Sequence, residues 1–456
     1  MRMRYPVRWL ALLAAFALVL AACGGDDDGD DDAAAPTDDA TEDDGEDDGT
    51  AADDETMEDD SMEEPEGELG AVTVASGDQI QIRSLEAISG DVSFLGIPNQ
   101  RALEIAIEDY GPIQDFEVTM GTPLDDLCSA DGGQASAQTI VADTNVVGVI
   151  GTSCSGSGVP ASELVSNAGM VMISASNTSP ALTQVPFGTQ GENYSEGYFR
   201  TAHNDLFQGE AVADYVYNEL GLTTAAAVHD GDPYTDGLTT AFQEAFEALG
   251  GEVVLYTAVN KGDTDMVPVL TEVAAAAPDA IFVPIFPPEI NRIAEQWEGV
   301  SGLEDVVRVS ADGAQVEGFL EIAESEGFYF SGPSLQFEGN QNEITGRTAS
   351  EFLDIYNENY GEAPSAAFWA HAYDAATMLL QAIDNVAVAG DDGSLTIDRQ
   401  ALRDELYGTS FQGLIGSIAC DEFGDCGAGE IQIILHEDSS VTDATQIPTV
   451  YTFVPE

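Results

Sequence analysis

The sequence predicts an α/β protein built from two doubly wound, Rossmann-like lobes. From about residue 73 to residue 456, strand-like and helix-like segments alternate, which is typical of parallel sheets covered by helices. The alternation comes as two successive series, and this favours two similar lobes over one large sheet. The chain beyond residue 73 is long enough for two domains of ordinary size.

The first series consists of short apolar runs typical of buried parallel strands, with helical segments between them. We predict strands at Ile80–Ala87, Phe116–Met120, Val146–Ile150 and Met170–Ser174, and helices at Gln100–Asp109, Ala135–Ala142 and Ala161–Ala168. Two strands end in hydroxyl-rich loops, Thr152–Ser157 and Ser174–Ser179. Such loops lie along the carboxyl edge of a doubly wound sheet, where ligands bind. Because small hydroxyls beside backbone N–H groups suit a carboxylate, we predict a site for a small anionic or zwitterionic molecule.

The second series repeats this pattern, and three helical segments and a short tail follow it. We predict strands at Ala225–His229, Val253–Tyr256, Ala280–Pro284, Val306–Ser310, Gly327–Ser331, Ile431–Leu435 and Thr449–Val454, and helices at Gln208–Leu220, Thr239–Leu249, Met266–Ala276, Ile290–Glu298, Ile344–Asn359, Ala366–Val388 and Asp398–Leu406. We assign residues 73–200 and 333–414 to an N-terminal lobe, and residues 201–332 and 415–456 to a C-terminal lobe. The segment Tyr198–Thr201 is the predicted first crossing between them.

The first residues of the chain indicate export. Arginines precede the apolar run Trp9–Leu20, which is too short to span a bilayer comfortably. The sequence LAAC that ends at Cys23 matches the lipobox of bacterial lipoproteins. This resemblance implies a signal peptide over residues 1–22 and lipid attachment to Cys23, and the alternative is an ordinary secretory signal. We predict an extracytoplasmic protein, lipid-anchored to the outer face of the bacterial cytoplasmic membrane.

An acidic segment follows the lipobox. Residues 24–70 are rich in Asp, Glu, Ala, Gly and Thr, and hold no lysine, arginine or aromatic residue. Such a segment buries too little apolar surface to offset its ordering entropy. We therefore predict that residues 23–72 comprise the lipidated cysteine and a disordered tether.

The acidity extends over the whole chain. The sequence contains 84 Asp and Glu against 12 Lys and Arg, a net charge of −72, and Lys261 is its only lysine. This balance argues against nucleic-acid binding and against a basic membrane-binding face, which leaves the lipid as the only membrane contact. Charge of this size is best tolerated where salt screens it, so a saline habitat is an expectation.

Four further cysteines fit an exported protein with disulfide bonds. They are Cys128, Cys154, Cys420 and Cys426, and four cysteines allow three pairings. The economical choice is Cys128–Cys154 with Cys420–Cys426. A zinc site is the alternative, but the spacings fit no zinc finger and no histidine lies close in sequence, so we predict no metal.

Several motifs, in this order, resemble one known family. They are LEAISGDVSFLG, the pair Cys128 and Cys154, GTSCSGSG, ISASNTSPALT, FRTAHNDLFQGEAVADY, VHDGDPYTDGL and VSADG. Together they resemble the leucine/isoleucine/valine-binding lipoproteins of ABC importers, which have the type I periplasmic binding fold. The resemblance covers residues 80–456. It implies two lobes joined by a three-strand hinge, a small ligand trapped between them, a disulfide between Cys128 and Cys154, no cofactor, a monomer, and the transmembrane subunits of an ABC permease as partner.

The resemblance also implies ligand contacts at five polar positions. Ser155 matches the serine that binds the α-carboxylate of an amino acid. Ser176 and Thr178 match the second loop, which holds the carboxylate and the α-ammonium. Tyr234 matches a tyrosine that closes over the ligand, and Asp312 matches an acidic residue that pairs with the ammonium. The structural alternative is that these residues cap helices or form turns.

The positions that would surround the ligand side chain depart from the family pattern. Leu95 stands where an aromatic residue often packs on the ligand, and Ser153 replaces an apolar residue. In the second lobe Phe286 is the predicted lining residue, and Phe368 or Trp369 completes the wall. These departures leave the identity of the amino acid open.

Two other functional classes are alternatives to import. A serine hydrolase requires glycine two positions before and after the nucleophile, and Ser153, Ser155 and Ser157 all lack that arrangement. No histidine lies in a catalytic motif, so we predict a protein without catalytic residues. A lipoprotein that presents an amino acid or amide to a membrane signalling receptor is the alternative function.

Overall fold

Two sheets, each with helices packed on both faces, organise the computed structural model, which describes residues 67–337, 339–427 and 429–455. The predicted signal peptide, Cys23 and most of the predicted tether lie outside these residues. In the described part of the chain, no helix is long and apolar enough to cross a membrane. The α/β class with two parallel-sheet lobes is confirmed.

The first sheet is entirely parallel. The elements from Ala71 to Arg200 are β1 Ala71–Val74, β2 Ile80–Glu86, α1 Ser93–Tyr110, β3 Val118–Thr119, β4 Leu124–Asp125, α2 Ala130–Val141, β5 Val146–Gly151, α3 Ser155–Asn167, β6 Val171–Ser174 and β7 Tyr198–Arg200. The strand order is β3-β2-β5-β6-β7, with β4 also beside β2. The buried residues of β5 and β6 are divided between two separate apolar cores, as expected for a sheet that is covered on both faces.

The second sheet is larger and mixed. Its first part contains α4 Asp205–Asp214, a π-helical turn Tyr215–Glu219, β8 Thr224–His229, α5 Pro233–Leu249, β9 Glu252–Ala258, α6 Val267–Ala276, β10 Ala280–Phe282, α7 Glu289–Trp297, β11 Val307–Ala311, α8 Glu317–Leu320 and β12 Phe328–Pro333. The chain then forms α9 Ala349–Tyr360, α10 Trp369–Val386, β13 Val388–Ala389, β14 Leu395–Asp398, α11 Arg399–Tyr407, β15 Ser410–Gly413, β16 Gly416–Ala419, β17 Ile431–His436 and β18 Thr449–Phe453. The strand order is β18-β17-β12-β11-β10-β8-β9, with β17 and β18 antiparallel to their neighbours.

The last third of the chain returns to both sheets. Helices α9 to α11 pack on the core of the first sheet, and β17 and β18 extend the second. The lobe boundaries at residues 200, 332 and 414 stay a prediction. The hairpin β15–β16 spans the last of these boundaries, and Ile418 in β16 packs in the first core. Strand β1 pairs with β14, so the folded body begins just before residue 73.

Helix α3 differs from its prediction in a way that matters for the site. The sequence suggested a loop through Ser157 and a helix from Ala161, but the helix begins at Ser155. Its first turn contains Gly156 and Gly158, which have low intrinsic helix propensity. Tertiary packing nevertheless requires glycine at this position of the helix, because a Cβ on Gly158 would lie 2.4 Å from Oδ1 of Asn177. The first hydroxyl-rich loop is therefore partly a helix N-terminus.

Both disulfide bonds of the economical pairing are present. The Cα atoms are 5.1 Å apart in Cys128–Cys154 and 3.8 Å apart in Cys420–Cys426. The first bond joins the segment before α2 to Cys154, the residue that precedes α3. It thereby fixes the start of α3, where the candidate site lies.

Asp374 of α10 makes the stability of the first lobe depend on pH. Its carboxylate is fully buried and accepts hydrogen bonds from the backbone N–H groups of Leu414 and Ile415, at 2.9 Å each, and from Nδ2 of Asn342 at 2.8 Å. Burial raises its pKa to about 7, although these hydrogen bonds oppose the shift. Protonated Asp374 therefore favours the folded state at low pH, and this contribution is lost as pH rises through about 7.

We expect Asp374→Asn to weaken the pH dependence of stability between pH 5 and pH 8. The amide is neutral throughout and has the same shape, so the variant should lose less free energy of unfolding on going to pH 8 than the parent. Urea denaturation at both pH values measures the difference. Asp354→Asn, at an exposed position on α9, is the control. An equal pH dependence in Asp374→Asn and the parent would contradict the assignment.

Candidate functional site

A cavity lies between the two lobes and gathers residues from both. The space inside it that is open to a water-sized molecule is only about 20 Å³, far below the roughly 300–1,000 Å³ usual for small-molecule sites. Its lining comprises Leu95, Ser153, Cys154, Ser155, Ser176, Thr178, Tyr234, Phe286, Asp312 and Phe368. All seven residues that the sequence indicated as ligand contacts thus line one cavity. That they bind a ligand stays a prediction.

The first lobe contributes donors at the start of α3 and in the loop after β6. Oγ of Ser155 accepts a hydrogen bond from the backbone N–H of Ser179 at 3.2 Å, so its own proton can be donated into the cavity. Cys154, the N-cap residue, makes no side-chain cap, and the first N–H groups of a helix attract anions. This side of the cavity therefore suits a carboxylate.

The loop after β6 is held in place by its own buried side chains. Nδ2 of Asn177 donates to the backbone oxygen of Thr152 at 2.9 Å, and Oγ of Ser174 donates to the same oxygen at 2.8 Å. These bonds join the ends of β5 and β6. They fix Thr178 beside the N-terminus of α3 without using its hydroxyl.

The second lobe contributes a buried acid opposite these donors. Asp312 follows β11, and Tyr234 lies in the first turn of α5. Oδ1 of Asp312 accepts hydrogen bonds from Nε2 of Gln208 at 2.8 Å and from the hydroxyl of Tyr234 at 3.4 Å. Burial raises the pKa of Asp312 to about 6, against the effect of these donors. A cation bound beside this carboxylate would therefore stabilise its ionised form.

Asp205 is a second buried acid beside Asp312, which the sequence reasoning missed. Neither of its carboxyl oxygens has a hydrogen-bond partner among the described residues. Burial and the nearby Asp312 carboxylate raise its pKa well above the usual value, although the charge of Arg200 opposes the shift. Its backbone N–H donates to the carbonyl of Thr178 at 3.0 Å. A cation near both carboxylates would relieve the cost of burying them.

Two hydrogen-bonded side chains, His203 and Gln208, orient the Asp312 carboxylate. Nε2 of His203 lies 2.6 Å from Oε1 of Gln208, and burial lowers the pKa of His203 to about 4. The ring is therefore neutral. Because Oε1 of Gln208 can only accept a hydrogen bond, Nε2 of His203 donates to it. This directs the amide N–H group of Gln208 toward Asp312. Gln208 and Asp205 both lie in the motif FRTAHNDLFQG. The sequence analysis used this motif only for the family resemblance and did not assign its residues to the site.

The aromatic wall is only partly as predicted. Phe286 packs against Tyr234 with ring centroids 5.2 Å apart, and Phe368 lines the cavity. Trp369, the alternative to Phe368, lies instead in the first core and stacks on Phe352 at 4.7 Å. The two side chains diverge because α10 begins at Trp369, which turns consecutive residues to different sides.

The two lobes touch each other beside the cavity. A Cβ on Gly156 would lie 2.6 Å from Oδ2 of Asp232, so α3 of one lobe approaches the N-cap of α5 of the other. The same Asp232 oxygen accepts a hydrogen bond from Nζ of Lys261 at 2.6 Å. The described structure is therefore a closed arrangement of the lobes. Within the described residues, no cluster of His, Cys, Asp or Glu is arranged to hold a metal ion.

Comparison with known proteins gives the family. A family model for a periplasmic binding protein matches residues 79–424, which is most of the chain. The chain belongs to the periplasmic binding protein family. The resemblance drawn from the motifs is thereby confirmed, and with it the two-lobed fold.

Individual relatives of this periplasmic binding protein agree with that assignment. An amino acid binding protein of Pseudomonas aeruginosa is 30% identical over 172 residues, 38% of this chain and 44% of that protein, so the match spans less than half of the relative. The Leu/Ile/Val-binding protein homolog 3 of Brucella melitensis is 24% identical over 379 residues, 82% of this chain and 95% of that protein. The crystal structure of a leucine binding protein LivK of Thermotoga maritima superposes with a TM-score of 0.69 at 25% identity, covering 82% of this chain and 99% of that one.

Proposed function

We propose that this chain is the extracytoplasmic solute-binding protein of an ABC importer and captures one α-amino acid between its lobes. The observation that supports this most directly is the polarity of the cavity. Hydroxyl donors and a helix N-terminus stand on one lobe, and the buried acid Asp312 stands on the other. An α-amino acid carries a carboxylate and an ammonium a few ångströms apart and matches both.

The lobes give this binding site a transport function. A ligand held by both lobes stabilises the closed form by its differential affinity for that form. The permease can then distinguish a loaded protein by shape. Cys23 would hold the protein at the membrane, and residues 23–72 would give it reach. The acidic body would contact basic patches on the transmembrane subunits.

A thermal-shift screen tests the proposal. The purified full-length chain, with both disulfides oxidised, is screened against L-amino acids, amides, short carboxylates, aromatic carboxylates and sugars. A ligand at about 100 times its dissociation constant adds about 2.7 kcal/mol of stability. We expect stabilisation by one group of L-amino acids. Stabilisation by carboxylates or sugars alone would contradict the assignment of Asp312 to an ammonium.

Signalling is the alternative use of the same site. A sensor would bind the same class of ligand but pass the closed form to a membrane receptor. Neighbouring permease and ATPase genes favour transport, and a neighbouring kinase gene favours signalling. Uptake of the ligand in cells with and without the protein decides between the two.

A further inference from the structure

Glu86 is a buried acid behind the cavity wall that the amino-acid handle does not use. It ends β2 and is fully buried. Its Oε2 accepts a hydrogen bond from Oγ of Ser153 at 2.5 Å, and its Oε1 has no partner in the described part of the chain. Ser153 lines the cavity. Ser153 thus connects a buried carboxyl group to the cavity lining.

The hydrogen bonds around Ser153 show what this wall offers. Its Oγ accepts from the backbone N–H of Ala87 at 2.9 Å and contacts the Glu86 carboxyl. Oγ of Ser176, also in the lining, donates to the backbone oxygen of Ser153 at 2.9 Å and accepts from Nδ2 of Asn99 at 3.3 Å. Each serine oxygen retains one lone pair. The wall therefore presents hydrogen-bond acceptors to the cavity.

Ser153 lies in the cavity lining next to Cys154, at the boundary between the hydroxyl donors and the apolar part of the cavity. The adjacent Cys154 packs with Leu95 in a small apolar cluster, against which Phe286 also packs. The carboxylate donors begin beyond it, at Ser155. A side chain that projects from the α-carbon toward Leu95 and Phe286 would meet the hydroxyl of Ser153.

We propose that the cavity selects an α-amino acid whose side chain carries a small, uncharged hydrogen-bonding group, a hydroxyl or an amide, and that Ser153, backed by Glu86, reads that group. This inference rests on the proposed function and specifies its ligand. A ligand hydroxyl or amide N–H would donate to the remaining lone pair of the Ser153 oxygen, whereas an apolar side chain of the same shape would leave that lone pair without a donor. Threonine should thus be preferred over valine, and asparagine over leucine.

Titration calorimetry on the full-length chain with these two ligand pairs tests the proposal. In the parent we expect the polar member of at least one pair to bind about tenfold tighter, which corresponds to about 1.4 kcal/mol. Ser153→Ala should reduce that preference to within about threefold. Glu86→Gln, which keeps a neutral hydrogen-bonding group, should retain it. Ser325→Ala removes a buried serine of the second lobe whose Oγ donates to the carbonyl of Ile322, and should change nothing.

The outcomes separate this inference from the proposed function. Valine and leucine bound as tightly as their polar partners would overturn the selection and leave amino-acid capture intact. An equal loss for both members of a pair in Ser153→Ala would make Ser153 a purely structural residue and would also overturn it. If no amino acid binds at all, the proposed function fails and the selection fails with it. Thermal denaturation of each variant without ligand establishes that it folds.

Discussion

Asp312→Asn should weaken amino-acid binding about 100-fold while leaving the unliganded protein at least as stable as the parent at pH 8. The carboxylate is the charged acceptor for the ammonium, and hydrogen bonds to charged groups contribute about 1.5–3 kcal/mol. Stability is expected to hold because burial raises the pKa of Asp312 to about 6. An ionised Asp312 without a cation costs folding free energy above that pH, and asparagine removes the cost.

Two comparisons make this prediction specific. Ser155→Ala removes a neutral donor and should weaken binding about tenfold or less, since such bonds contribute about 0.5–1.5 kcal/mol. In the parent, affinity should fall as pH drops below about 6, where Asp312 takes up a proton, and Asp312→Asn should lack this dependence. Titration calorimetry at pH 5 and pH 8 measures both effects. Unchanged affinity in Asp312→Asn would remove Asp312 from the ligand contacts.

The sequence was most informative where a pattern is repeated or where a motif is long. Buried strands such as Val146–Gly151 and Ala280–Phe282 are continuous apolar runs between turns, so their positions could be predicted closely. The cavity lining could be predicted because its polar residues follow strand ends in motifs of matching order. The short strands β13 and β15 could not, since pairing with a neighbour, rather than a pattern of their own, defines them.

The buried acids behind the cavity could not be found by the same reasoning. Glu86 is the last residue of β2, and a charged residue at the end of a strand does not by itself show whether its side chain meets a partner or solvent. Asp205 and Gln208 stood within a marker motif, but their contacts with Thr178 and Asp312 join segments far apart in sequence. Only the assembled fold shows that these polar groups converge on one cavity.

Arg200→Met should lower the free energy of unfolding by about 3–5 kcal/mol, the usual cost of removing one partner of a buried ion pair. The Arg200 side chain is fully buried, and its Nε donates to Oδ1 of Asp425 at 2.5 Å. Burial opposes the ionised form, but the charge of Arg200 and the donated hydrogen bonds hold the pKa of Asp425 below its usual value. Methionine would leave that carboxylate buried without its cation.

The same substitution should also weaken ligand binding, because Arg200 holds the loop that carries Thr178. Its Nη1 donates to the backbone oxygens of Asn177 at 3.1 Å and Ser179 at 2.8 Å, the residues on either side of Thr178. Urea denaturation measures the stability change, and calorimetry at a temperature where the variant is folded measures the affinity. Adding Asp425→Asn to Arg200→Met removes the unpaired negative charge of Asp425 and should restore part of the stability. The affinity should not recover, because the loop around Thr178 still lacks the hydrogen bonds from Nη1 of Arg200. A double variant that regains full affinity would show that the loop is held without Arg200, and that the arginine serves only to neutralise Asp425.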